Sequence, residues 1–155
     1  MQIYIIAIGN RMPSWVTEGY KEYAGRMPPE CALKLIEIPA DKRTKGADLK
    51  RISEKEGQRV LEAIPKNCKV IALEIQGMKC STEKLATQLE DWMQVGRDVA
   101  LLIGRPEGRS QECLKQAEQH WSLSPMTLPH PMVRVELAEQ IYRAWSILKN
   151  HPYHR

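Results

Sequence analysis

Apolar residues along this chain come in two spacings. Short, mainly apolar runs at 2–8, 69–75 and 99–103 alternate with stretches in which apolar residues recur every three or four positions. A short apolar run bounded by turn residues reads as a strand buried on both faces, and a three/four repeat reads as a helix with one apolar stripe. The first strand, over 2–8, is ended by Gly9. A helix from Pro13 to about Arg26 carries Trp15, Gly19, Tyr20 and Tyr23 on one face, and Met27-Pro28-Pro29 stops it. A second strand, 33–38, is closed by Pro39. A helix over about 48–62 follows, with Leu49, Ile52, Val60 and Ala63 in a stripe that Glu56 interrupts.

A third strand over 69–75 ends at Gln76-Gly77. Ser81 or Thr82 can cap the next helix, which carries Leu85, Leu89 and Trp92 and ends near Gly96. The fourth strand, V-A-L-L-I at 99–103, runs into Gly104 and turns through Pro106 and Gly108. Ser110 can cap the helix after it, with Glu112 in a first turn that suits the helix dipole. The stretch 121–128, W-S-L-S-P-M-T-L, is strand-like but broken by Pro125, and a final helix spans about 132–149. Strands alternating with helices predict an α/β domain over 1–155, a mostly parallel sheet flanked by helices, with 99–103 in its middle. The loop after a central parallel strand lies at the carboxyl edge, where such sheets bind ligands. At this level 104–108 reads equally as a ligand loop or as a tight strand-to-helix turn.

The final helix is apolar around much of its circumference. Val133, Leu137, Ile141, Ala144 and Leu148 form one stripe, and Val135, Ala138, Tyr142 and Trp145 form a second. Such a helix is either central to a core or shared with another subunit. In a domain of 155 residues with helices flanking a sheet, the expectation is a homodimer interface.

Composition adds bounds. Hydrophobic residues at 43% and charged residues at 27% are those of a soluble globular chain. Four cysteines, Cys31, Cys68, Cys80 and Cys113, have no close pair, so no metal site and no disulfide framework is expected, and a reducing cytoplasm fits. The start lacks the features of a signal peptide and no run is long enough to span a membrane. A net charge of +4 permits a polyanionic partner without requiring one. Between 41 and 59 there are seven Lys/Arg against four Asp/Glu, which reads either as a solvated helix face with its loop or as a nucleic-acid patch. Dinucleotide, P-loop and nucleophile-elbow motifs are absent. Three of the four histidines, His130, His151 and His154, fall in the last 26 residues, and N-H-P-Y-H-R is an odd composition for a frayed end.

The I-G-R-P-E-G at 103–108, the S-L-S-P-M-T-L-P-H-P-M-V-R at 122–134, the E-Q-I-Y-R-A-W at 139–145 and the final N-H-P-Y-H-R together resemble the RlmH family. The resemblance runs over essentially the whole chain, including R-M-P-S-W-V at 11–16 and E-I-P-A-D-K-R at 37–43. Members are SPOUT-class enzymes that methylate N3 of a pseudouridine in large-subunit (23S) ribosomal RNA on the ribosome. The resemblance implies S-adenosylmethionine as cofactor, a homodimer and a carboxyl-terminal trefoil knot.

Carried onto this chain, it implies a cofactor pocket of three loops, with Leu73 and Gly77 from the first, Gly104 from the second, and Leu123, Ser124, Pro125, Met126, Thr127 and Leu128 from the third. Arg143, Tyr153 and His154 become the expected catalytic group, His154 serving as proton acceptor or as RNA anchor. His130, Arg134, Arg155, Lys42 and Arg43 are expected to hold RNA, and the tail of one subunit is expected to complete the other's pocket. Arg105 stands where the family ordinarily has a second glycine, and Glu74 where it has aspartate. Two further readings are a non-catalytic RNA-binding protein of the same fold and an ordinary small-molecule α/β enzyme. The N-H-P-Y-H-R end speaks against the latter.

Overall fold

The computed structural model describes residues 1–42, 44–46, 48–104 and 115–155. Strands β1 (Gln2–Ile8), β2 (Ala32–Ile38), β3 (Lys69–Lys79), β4 (Val99–Ile103) and β5 (Gln119–Ser122) form one sheet in the order β2-β1-β4-β3-β5. Every pairing is parallel. All five residues of β4 are buried. That is the burial an unbroken apolar run predicts for a strand hydrogen-bonded on both edges and covered on both faces.

Side chains alternate across the sheet with period two, and each face has its own core. Ile5, Ile71 and Leu101 point to one face, where Tyr20, Leu89, Leu137 and Ile141 cover them. Ile6, Val70 and Leu102 point to the other, against Val60. Among the described residues the first layer therefore consists of α1 (Ser14–Ala24), α3 (Thr82–Val95) and α4 (His130–Leu148), and the second contains α2 (Leu49–Ala63). The caps follow from sequence. Asp48 accepts from the Arg51 amide and Ser81 from the Lys84 amide, while Gly96 supplies a φ of 76° after α3.

Three differences from the sequence reading have physical causes. β3 does not stop at Gly77 but continues to Lys79, rejoining β5 after an irregularity. The fifth strand ends at Ser122, because the residues after it turn back on serine hydroxyls instead of extending to 128. α4 starts two residues earlier than expected, with Pro131 in its first turn, where a missing N–H costs nothing.

The two apolar stripes of α4 have a partner within the chain. α4 lies between α1 and α3, and Leu137, Ala138, Ile141, Tyr142 and Ala144 are all buried there. Burying Leu137 and Ile141 contributes about 2 kcal/mol each. Among the described residues α1 and α3 thus cover part of both stripes, while Val133, Val135, Trp145 and Leu148 stay half-buried. Arg43, Arg105, Gly108, Ser110, Glu112 and Cys113 lie outside the described residues.

Candidate functional site

Two polar side chains fasten the first turns of α4 to the carboxyl end of β1. His130 Nε2 lies 2.6 Å from the Ile8 carbonyl oxygen, which can only accept, so Nε2 carries the proton. Arg134 donates through Nη2 to the Gly9 carbonyl at 2.7 Å and pairs through Nη1 with Glu37 at 2.8 Å. Arg134 is 1% exposed. Its expected role as an RNA contact is therefore corrected: the guanidinium is enclosed and occupied by the ends of β1 and β2. His130 likewise spends a ring nitrogen on β1.

This anchorage determines the path of the chain. β5 is an edge strand and β1 lies three positions away, beyond β3 and β4. Residues 123–129 must cover about 14 Å across the carboxyl edge, past the ends of β3 and β4; fully extended they would reach about 23 Å. The third expected cofactor loop therefore crosses the strands that carry the other two.

Each loop has a local cause. In the β3–β5 ladder both Leu73 and Met78 oppose Trp121, so residues 74–77 bulge out between them. A Cβ on Gly77 would stand 2.7 Å from backbone atoms of His120 and Trp121, which only glycine avoids. Glu74 Oε1 reaches His120 Nδ1 at 2.9 Å across the foot of the bulge. Leu73 is buried at its start, and Gly104 directly follows β4. In the crossing segment the Ser122 hydroxyl donates to the Ser124 carbonyl at 3.1 Å, and the Met126 amide donates to the Ser124 hydroxyl at 3.0 Å. This turn leaves Pro125, Met126 and Thr127 exposed, with Leu123, Ser124 and Leu128 half-buried. Met126 is 74% and Ile75 is 56% exposed. Apolar side chains left bare beside the bulge at 74–77 and the serine-bonded turn suit a flat, partly apolar ligand such as a nucleoside.

The tail is ordered by the end of α4. Asn150, at φ 52°, takes the left-handed position after the helix, and the His151 amide returns to the Ser146 carbonyl at 2.8 Å. His151 Nδ1 then accepts from the Tyr153 amide at 3.2 Å, closing a 3-10 turn at Pro152–His154. The Tyr153 hydroxyl donates to Glu139 Oε1 at 2.9 Å, and Arg143 donates to the same oxygen through Nε at 2.8 Å. His154 Nδ1 lies 3.5 Å from the Ser146 hydroxyl, which itself donates to the Arg143 carbonyl at 2.7 Å. The structure thus brings Arg143, Tyr153 and His154 together around α4, with Arg155 exposed beyond them. Burial first, then hydrogen bonds with Tyr23 and Glu139, push the Tyr153 phenol well above its usual range. It remains a neutral hydroxyl, a donor and not a base.

Among the described residues the tail and the loops stand at opposite ends of α4. Sixteen residues separate His130, at the carboxyl edge, from Ser146, beside His154, which is about 24 Å of helix. The sequence reading expected the tail of one subunit to complete the other's pocket, and this separation is compatible with that. It missed Arg26, whose guanidinium stands over the Tyr23, Tyr142 and Tyr153 rings. The Tyr23/Arg26 spacing at a helix end was the available signal. Lys42 is exposed on the loop after β2, at the same edge as the crossing segment.

An open cleft of about 390 Å³ lies between the start of α3, the end of β5 and the middle of α4. It shares Leu123 with the expected cofactor set and is otherwise lined by residues such as Thr82, Glu136 and Gln140, so it adjoins that site without being it. Among the described residues no group of three or more His, Cys, Asp or Glu side chains could hold a metal, and no helix is long and apolar enough to cross a membrane.

The described residues form a parallel α/β sheet whose last connection recrosses its own carboxyl edge, past the bulge that Gly77 permits. The family described as "Predicted SPOUT methyltransferase" matches residues 1–154, and the chain belongs to it. A relative from Thioalkalivibrio sulfidiphilus (strain HL-EbGR7), named "Ribosomal RNA large subunit methyltransferase H", is 60% identical over 155 residues, covering 100% of this chain and 99% of its own. A second protein of that name, from Marinomonas sp. (strain MWYL1), is 56% identical over 155 residues, with 100% of both chains covered. Among solved structures, a probable methylase family protein from Haemophilus influenzae Rd KW20 superposes with a TM-score of 0.58 over 97% of this chain and 67% of that one. At 14% identity this is a likeness of fold.

Proposed function

We propose that this chain, acting as one SPOUT domain over 1–155, transfers a methyl group from S-adenosylmethionine to N3 of a pseudouridine in large-subunit ribosomal RNA. The observation that carries the reading is 60% identity, over the full length, to a relative whose name states ribosomal RNA methyl transfer. A ribosomal substrate puts the work in the cytoplasm. Leu73, Gly77, Gly104 and residues 123–128 would hold the cofactor, which when bound supplies a methyl already activated by a sulfonium.

An imide N3 is a poor nucleophile until its proton leaves, so the protein's part is alignment and proton removal. Arg143 and Arg155 hold RNA phosphate, with Lys42 and Arg43 contributing at the carboxyl edge. Tyr153, neutral and fixed on Glu139, orients the base. His154 accepts the N3 proton, since an imidazole does so near neutral pH. The helix length between tail and loops supports a homodimer in which each tail serves the partner's loops.

Two measurements test this. Calorimetric titration with S-adenosylmethionine is expected to show saturable binding; none at millimolar ligand would leave a non-catalytic RNA-binding protein of this fold. Incubation with large-subunit particles lacking the modification, followed by nucleoside mass spectrometry, should yield an N3-methylated pseudouridine. A methyl group on any other nucleoside would overturn the assigned substrate.

A further inference from the structure

Arg26 stands just past α1, on the turn before Met27. Its Nη2 donates to Glu22 Oε1 at 2.6 Å. An exposed i,i+4 ion pair of this kind contributes little by itself. The guanidinium, however, does more than pair. Its central carbon lies 5.2 Å from the ring centroid of Tyr23, 5.4 Å from that of Tyr142 and 5.7 Å from that of Tyr153. These rings come from α1, α4 and the tail, so one cation joins three separate pieces of chain.

Tyr153 is the ring whose place depends on this joint. It meets Tyr142 edge-on at 4.7 Å and Tyr23 at 6.4 Å, and a second guanidinium, Arg143, lies 5.0 Å from its centroid. Its hydroxyl and the Arg143 Nε share Glu139 Oε1. Of the two cations, Arg143 belongs to the network that Tyr153 completes, whereas Arg26 approaches from another helix and touches none of its polar atoms. We infer that Arg26 is a positioning residue for the tail. It holds the Tyr153 ring against α4, and through Tyr153 it keeps Glu139 and Arg143 in register with His154. This deepens the reading in which the tail carries the chemistry, and rests on it.

The test uses full-length Arg26→Gln, Arg26→Lys and Tyr153→Ala in single-turnover methyl transfer to unmodified large-subunit particles at saturating S-adenosylmethionine. Arg26→Gln, which keeps a polar side chain but no cation, is expected to lower the rate at saturating RNA about tenfold, with unchanged cofactor affinity and only a small drop in melting temperature. Arg26→Lys should recover most of the rate, because an ammonium also binds aromatic faces. Carboxypeptidase should release Arg155 and His154 faster from Arg26→Gln than from wild type. A full rate for Arg26→Gln beside an impaired Tyr153→Ala would overturn the role of Arg26 and leave the tail in place. A full rate for Tyr153→Ala would overturn the tail reading itself. Equal losses in Arg26→Gln and Arg26→Lys, tracking a lower melting temperature, would reduce Arg26 to a stabilising contact and also overturn the inference.

Discussion

Gly77 lies so close to Trp121 that a β-carbon on it would stand 2.7 Å from the tryptophan's backbone nitrogen. The obstacle is backbone in a paired strand, which cannot rotate aside. Gly77→Ala should therefore push β3 and β5 apart where the ladder resumes at Met78, costing about 1–3 kcal/mol. The same shift moves the bulge at 74–77. We expect a lower melting temperature together with weaker S-adenosylmethionine binding by calorimetry. Normal stability with normal binding would show that the ladder has slack at this point.

Arg134 supplies a second test. Arg134→Met keeps the apolar stem but leaves the Gly9 carbonyl without its donor and Glu37 without its partner. Glu37 is 37% exposed in its side chain and can rehydrate, so the loss should be about 2–3 kcal/mol, less than for a fully buried pair. Denaturant unfolding measures it. RNA affinity of the folded variant should be unchanged, and a selective loss of RNA binding at full stability would restore Arg134 to the RNA surface.

What the sequence made legible, and what it did not, divides along contact range. Strand positions followed from short apolar runs, helix positions from the 3.6-residue repeat, and the ends of α3 from Ser81 and Gly96, because each depends on neighbours a few residues away. Arg134 was assigned to RNA because a cation's type is visible in sequence, while the Gly9 carbonyl 125 residues away that receives it is not. The two stripes of α4 left a similar question open. Periodicity shows that a helix is covered on two sides without showing whether α1 and α3 or a second chain provides the cover. The tail residues were legible as an unusual composition, but their distance from the cofactor loops required the length and direction of α4.

Glu136, on the wall of the cleft beside α3, gives a pH-dependent prediction. Burial first, then Glu139, raises its carboxyl above the ordinary glutamate value. A carboxyl that binds its proton more tightly folded than unfolded loses stability as pH rises from the unfolded to the folded value, and the deficit persists above it. Glu136→Gln removes that deficit. Thermal scans should show the variant more stable than wild type at neutral pH, with the gain vanishing in acid below the ordinary carboxylate range. A gain that is equal at all pH values would point to packing instead of charge.

If the tail of one subunit serves the other's loops, Gly77→Ala and a His154→Ala variant, each impaired as a homodimer, should complement when mixed after reversible dissociation. Random reassortment makes half the dimers mixed, and each mixed dimer has one site with an intact bulge and an intact partner tail, so activity should return to roughly a quarter of wild type. In a chain whose tail served its own loops, mixing would recover nothing, since every subunit would carry a damaged site. The same His154→Ala homodimer distinguishes base from anchor. Loss of a proton acceptor lowers the single-turnover rate at saturating RNA, and the deficit shrinks as pH rises and N3 ionises unaided. Loss of an anchor instead raises the RNA concentration needed and leaves the pH profile unchanged. The proximity of His154 to Ser146, itself bonded to the Arg143 carbonyl, favours the first outcome, because it fixes the imidazole on the helix that also carries Arg143. A concentration shift with an unaltered pH profile would move proton removal to the solvent and leave His154 as an RNA anchor.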